Sequence, residues 1–119
     1  MSAANINLRL DQATPFVWAH ELHAGSADGP LLQLAGYRAR MQVRPEIESA
    51  LVLAELSTAN GQIVLGAANG MLTTTFTAAM TAGLDWVEGV YDLELVQPDG
   101  TPIRLFRGDI AIDLKVTRS

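Results

Sequence analysis

The chain contains no cysteine in 119 residues. No disulfide can brace the fold, and no thiolate can act as nucleophile or metal ligand. That fits a reducing compartment, or a protein that leaves the cell only inside an assembly. Histidine is scarce as well, with 2 in the chain, and no serine lies in a Gly-x-Ser-x-Gly setting. Neither a zinc cage nor a nucleophile elbow can be assembled from such material. Basic residues are few: 8 Lys and Arg against 13 Asp and Glu leave a net charge of -5. A general nucleic-acid binder needs a cationic excess to meet phosphates, so that class is excluded. No apolar run approaches the ~20 residues that span a bilayer, so no membrane partner is expected. The opening "MSAANINLRLDQ" has no basic segment followed by an apolar block and is not read as a secretion signal.

What is present is a single domain's worth of globular sequence, 49% hydrophobic and 18% charged. Its dominant pattern is two-residue alternation, the mark of strands with one buried face. Ile6, Leu8 and Leu10 fall on one side of a first strand, and Phe16, Trp18, His20 and Leu22 on one side of a second. From Tyr37 to Arg44 the alternation is strict. Tyr37, Ala39, Met41 and Val43 point inward, with Arg38, Arg40, Gln42 and Arg44 outward, and Pro45 ends the strand. Strands are then expected over Ala50–Leu56, over "QIVLG" and over "MLTTTF". Asn60-Gly61 and Asn69-Gly70 read as type I′ hairpin turns.

"FTAAMTAGL" is the one helical candidate, of one or two turns, with Thr77 as N-cap and Gly83 as stop. A long hairpin about Pro98-Asp99-Gly100 closes the chain. Tyr91, Leu93 and Leu95 face inward in it, against Ile103 and Leu105, then Ile110, Ile112, Leu114 and Val116. His23–Pro30 is the longest expected loop.

Seven to eight short antiparallel strands with a short helical turn read as an all-β, immunoglobulin-like sandwich. Tyr91 in Gly89-x-Tyr91-x-Leu93 has the form of a tyrosine corner, with leucine where a second cysteine would stand and Met41 in the place of the usual tryptophan. Residues 1–14 are read as an N-terminal arm or first strand, able to add a strand to a neighbouring subunit, and residues 15–119 as the sandwich domain.

No catalytic set emerges. His20 and His23 in "HELH" are three apart in a strand pattern, whereas a zinc protease needs two histidines four apart on a helix. "GQIVLGAANG" has no Lys-Ser/Thr after it, so it is turn chemistry and not a phosphate loop. No cofactor or metal is expected. The charged strand faces are more informative. In a sandwich, the strand of Arg38 and Arg40 neighbours the strand of Asp92 and Glu94, and such cross-strand pairs contribute roughly 0.2–1 kcal/mol each. Arginine is also enriched at protein–protein contacts. The candidate interface is therefore Arg38, Arg40, Arg44, Asp92 and Glu94, with Trp86 as either an exposed anchor or a cap on one end of the core.

Several stretches together, "LAGYRARMQVRP", "LSTANGQIVLG", "GMLTTTFTAAMTAGL", "GVYDLELVQPDGTPIRLFRGDIAI" and the terminal "KVTR", resemble a family of small virion and tail proteins of tailed bacteriophages and prophages. The likeness runs from about Phe16 to Arg118, and the chain is also similar to the Ig-like amino-terminal domain of upper baseplate proteins. The resemblance implies a structural, non-enzymatic module of the tail, baseplate or fibre-attachment region. It would be assembled in the bacterial cytoplasm into a symmetric homo-oligomer or against other virion proteins. A host-surface carbohydrate-binding module is the alternative. It is disfavoured because Phe16, Trp18, Tyr37, Phe76, Trp86, Tyr91 and Phe106 fall mostly on apolar faces. An enzyme is the third and weakest reading, since it would need a cleft with a reactive cluster.

Overall fold

The alternation seen in the sequence does sort side chains into two layers. The computed structural model describes residues 4–23, 29–66 and 70–116. In chain order the strands are β1 (Ala4–Asn5), β2 (Leu8–Asp11), β3 (Phe16–Glu21), β4 (Arg38–Arg44), β5 (Ala54–Ser57), β6 (Ile63–Leu65), β7 (Met71–Phe76), β8 (Glu88–Val96) and β9 (Pro102–Asp113). One helical turn, α1 (Ala78–Ala82), precedes β8. The larger sheet runs β9–β8–β4–β5, with β1 and β2 together on the outer edge of β9; the smaller runs β3–β7–β6. Strands β3, β7 and β6 thus take the B, E and D places of an immunoglobulin sandwich, and β4, β8 and β9 take C, F and G.

Burial follows the pleat. Ala39, Met41 and Val43 of β4 are buried while Arg38 and Arg40 are exposed. Tyr91, Leu93 and Leu95 of β8 meet them across the register, with Met41 opposite Leu93. The smaller sheet supplies Leu72, Thr74 and Phe76 from β7 and Ile63 from β6. Trp18 packs on Phe106 with ring centroids 5.0 Å apart and edge-on to Tyr91 at 6.3 Å, while His20 meets Phe106 at 4.8 Å. Strand β3 therefore lies over β9 and its neighbour β8. Among the described residues, the buried Thr74 Oγ1 and Trp86 Nε1 make no hydrogen bond.

The helical turn is capped as its sequence indicates. Thr77 Oγ1 accepts from Met80 N–H at 3.2 Å, and Gly83 closes the C-terminus. Around Pro98–Gly100, Gly100 N–H donates to the Gln97 carbonyl at 2.8 Å, and Gly100 sits at φ 92, open only to a residue without Cβ strain.

Several expectations are corrected. Strands β1 and β2 pair with β9 in parallel, so the sandwich is not wholly antiparallel. The amino-terminal residues 4–11 add their strands to this chain's own sheet. Tyr91 is not a tyrosine corner: its hydroxyl donates to the Ile6 carbonyl at 2.5 Å, at the break between β1 and β2, and not to the corner before β8. Gly108, beside Tyr91 in the register, lets that break come close, because Ile6 leaves no room there for a Cβ.

Asn60-Gly61 is no hairpin. It carries the chain from β5 in the larger sheet to β6 in the smaller, and only Gly61 has positive φ. The strand expected over Ala50–Leu56 begins only at Ala54, leaving Leu51 and Val52 exposed in the preceding loop. In β9 the inward series shifts phase at a bulge, so Phe106 and not Leu105 opposes Leu93. Leu114 and Val116 lie past the strand and are exposed. Asn69, most of His23–Pro30 and the end of the "KVTR" stretch fall outside the described residues.

Candidate functional site

The pleat that buries Met41 and Leu93 must turn the intervening residues to solvent, and these form the outer face of the larger sheet. Its rows follow from the register. Arg40 opposes Glu94, which opposes Arg104; Gln42 opposes Asp92, which opposes Arg107; Arg44 opposes Val90, which opposes Asp109. On the central strand β8, Glu94 is thus flanked by cations on both sides and Asp92 by an amide on one side and a cation on the other, an arrangement that lowers repulsion and holds register.

The expected pairs form only in part. Arg40 is opposite Glu94 but turns to the other side, to Glu55 on β5, with Nε to Oε2 at 3.3 Å. Arg38 opposes Val96 instead of an acid. Asp92 lies across from Gln42 and approaches Arg104 at 4.0 Å. Arg44 is committed locally, donating to the Ser49 carbonyl at 2.7 Å and to Gln42 Oε1 at 2.8 Å.

Glu55 is the hub that the sequence reading missed. Gln42 donates to its Oε2 at 2.5 Å, and this bond, more than Arg40 and Arg44, holds the carboxyl below the usual range, against the opposing effect of desolvation. Its position, one residue before inward Leu56, marks it as outward-facing. Nothing in the local pattern says that β5 would lie beside β4. Arg104 and Arg107 were missed because the bulge hides their common face.

Among the described residues, Arg38, Arg107 and Glu94 have no ion pair or side-chain hydrogen bond. Below Arg107 the face sinks into an open cleft of ≈ 400 Å³, whose wall includes Arg44, Ile47, Asp92, Arg104 and Asp109. Ile47 is 81% exposed on its rim. Trp86 does not belong to this surface; it is half-buried against the core beyond α1, the capping alternative of the sequence reading.

Among the described residues, no group of three or more His, Cys, Asp or Glu is placed to hold a metal ion. His20 meets Phe106 edge-on, and His23 contacts the Gly29 carbonyl through Nδ1 at 2.7 Å and Glu21 through Nε2 at 3.1 Å. Among the described residues, no helix is long and apolar enough to cross a membrane. Among the aromatic rings, Phe76, Tyr91 and Phe106 are buried and Phe16, Trp18, Tyr37 and Trp86 are half-buried. What the face can do is donate hydrogen bonds from guanidinium groups held on a rigid sheet.

Comparison with known proteins adds little. No family model matches the chain, and no curated protein matches it. Among solved structures, extracellular domains 3–5 of Drosophila OTK align with 89% of this chain at 17% identity and a TM-score of 0.36. This chain spans 32% of that structure's length. The protein is an immunoglobulin-like β-sandwich by its own strand order and layer stacking.

Proposed function

We propose that the chain is a structural, non-enzymatic component of a tailed-bacteriophage virion, a module of the tail, baseplate or fibre-attachment region. It binds copies of itself or other tail proteins through the outer face of the larger sheet. The observation that carries this reading is the commitment of the arginines. Arg38 and Arg107 stand exposed on a rigid sheet with no partner among the described residues, while Arg40 and Arg44 are tied down by Glu55, Gln42 and Ser49. Planar forks suit partner carboxylates and backbone carbonyls, and a guanidinium with no partner of its own gives none up on binding. The placement in a virion comes from the family resemblance of the β4, β7 and β8–β9 stretches.

The test is made on particles of the phage or induced prophage that encodes the chain. The protein is expected in purified particles. A double variant, Arg38→Glu with Arg107→Glu, is expected to keep its β-sheet circular dichroism and lose incorporation. Absence from the particles, or normal incorporation of that variant, overturns the proposal.

A further inference from the structure

Both sheets end in open edges, and the chain treats them differently. On β5 the outward-pointing backbone groups belong to Glu55 and Ser57, because Thr58 N–H donates to the Ala39 carbonyl and fixes the alternate residues toward β4. Asn60 occupies both: its Nδ2 donates to the Glu55 carbonyl at 3.1 Å, and its Oδ1 accepts from Ser57 N–H at 3.0 Å. That edge is blocked by a side chain imitating a strand.

Strand β3 carries no such guard. Leu22 N–H donates to the Gly70 carbonyl at 2.8 Å, and the register pairs Phe16 with Phe76. Phe16, Trp18 and His20 are therefore the residues bonded to β7, and Val17, Ala19 and Glu21 aim their N–H and C=O groups out of the sheet. No hydrogen bond among the described residues reaches those backbone groups. The exposed side chains Val17 and Ala19 bring neither charge nor proline to discourage pairing, charge enters only at the end of the strand with Glu21, which contacts His23, and the strand has no bulge.

We propose that the β3 edge accepts one extended segment of another protein chain, joined in β-sheet pairing at Val17, Ala19 and Glu21. Geometry selects a single strand over a whole second sandwich. Trp18 and His20 place β3 over β9, so β1, on the far edge of β9, projects past β3 in the opposite layer. Opposite the open edge of β3, the other layer therefore ends in one strand, β1 with Ile6 after it, among the described residues. A single incoming strand adds nothing to that layer, while a second copy docked edge to edge would bring its own larger sheet against β1. The occupant's chemistry follows from the two walls: apolar residues toward Ile6, and small uncharged residues beside Val17 and Ala19. This surface is separate from the charged outer face, and the inference stands without the virion reading.

The experiment uses the intact chain and a synthetic heptapeptide of alternating Thr and Val, read by amide hydrogen exchange. Without peptide, the Val17, Ala19 and Glu21 amides exchange fast and those of Trp18 and His20 slowly. Saturating peptide is expected to slow the first set by about tenfold or more, leaving the Ser57 amide unchanged. Ala19→Pro, which removes only an outward N–H, is expected to abolish the effect; Val17→Lys, which keeps every backbone bond, is expected to weaken it. Slow exchange of the three amides in the free, dilute protein overturns the proposal, as does protection that appears only with self-association to a dimer, or peptide protection unaltered in both variants.

Discussion

The two outer faces of the sandwich cover the same core and are built oppositely. The larger sheet shows solvent Arg38, Arg40, Glu55, Asp92, Arg104, Arg107 and Asp109, a mosaic of both signs. Facing out from the smaller sheet are Val17 and Ala19 on β3, Val64 on β6 and Thr73 and Thr75 on β7, with Glu21 at one end. A sheet needs no charge to stay folded, as the smaller one demonstrates. The charge on the larger sheet is therefore not needed for folding, and the proposed function assigns it to what that face meets. Exposed ion pairs of this kind contribute little to stability.

The contrast breaks most completely if the pleat is reversed. Met41→Asp, directly beneath the arginine face, buries an unpaired charge at a site with 0% exposure. It is expected to cost roughly 4 kcal/mol or more and to abolish the cooperative urea transition. A folded Met41→Asp protein would mean the arginines are the interior.

Next in size is the tie between the sheet and its first strands. Burial lifts the Tyr91 phenol to about 12, and its hydroxyl donates to Ile6. Because the folded value lies above the usual ~10, the contribution is complete below pH ~10 and lost as pH rises toward about 12. Tyr91→Phe is expected to cost about 1–2 kcal/mol in urea denaturation at neutral pH and to flatten stability over that alkaline window. Thr74→Val should work in the other direction. It removes a buried hydroxyl without a partner and is expected to raise stability by about 1 kcal/mol, seen as a higher melting temperature.

The smallest effect on stability sharpens the comparison most. Arg40→Glu sets an acid beside Glu55 and Glu94 on an exposed face, and is expected to change unfolding free energy by less than about 1 kcal/mol while weakening assembly. Val64→Glu on the smaller sheet is expected to leave both unchanged. Acidification probes a separate exposed pair: the hydrogen bond from Arg9 holds the Asp113 carboxyl below its usual range, so this stabilisation is present above that range and lost as pH falls. Loss of protection in β2 at low pH, followed by amide exchange, checks it.

Much of this was legible in the sequence because one-sided burial writes a period of two. Tyr37–Arg44 and Tyr91–Leu95 could be assigned to faces residue by residue, and Thr77 and Gly83 bounded the helical turn. Neighbours were harder. Alternation in Ile6–Leu10 announces a strand but not its parallel seat on β9, which depends on Tyr91 and Gly108 more than eighty residues away. The phase change between Ile103 and Ile110 was the visible sign of the bulge, and through it of the shared face of Arg104 and Arg107. Glu55 escaped notice because its role comes from Gln42 and Arg40 on an adjacent strand. Asn60 looked like turn chemistry, and its work on the β5 edge appears only when the backbone groups are followed.

The central claim, that the charged face of the larger sheet is the working surface, is tested most directly by site-specific photo-crosslinking in assembled particles. With no native cysteine, a single introduced thiol carries the probe, at Arg107→Cys in one protein and at Val64→Cys in another. The account predicts crosslinks from position 107 to a tail protein or a second copy, and none from position 64. Crosslinks from 64 with none from 107 would contradict it.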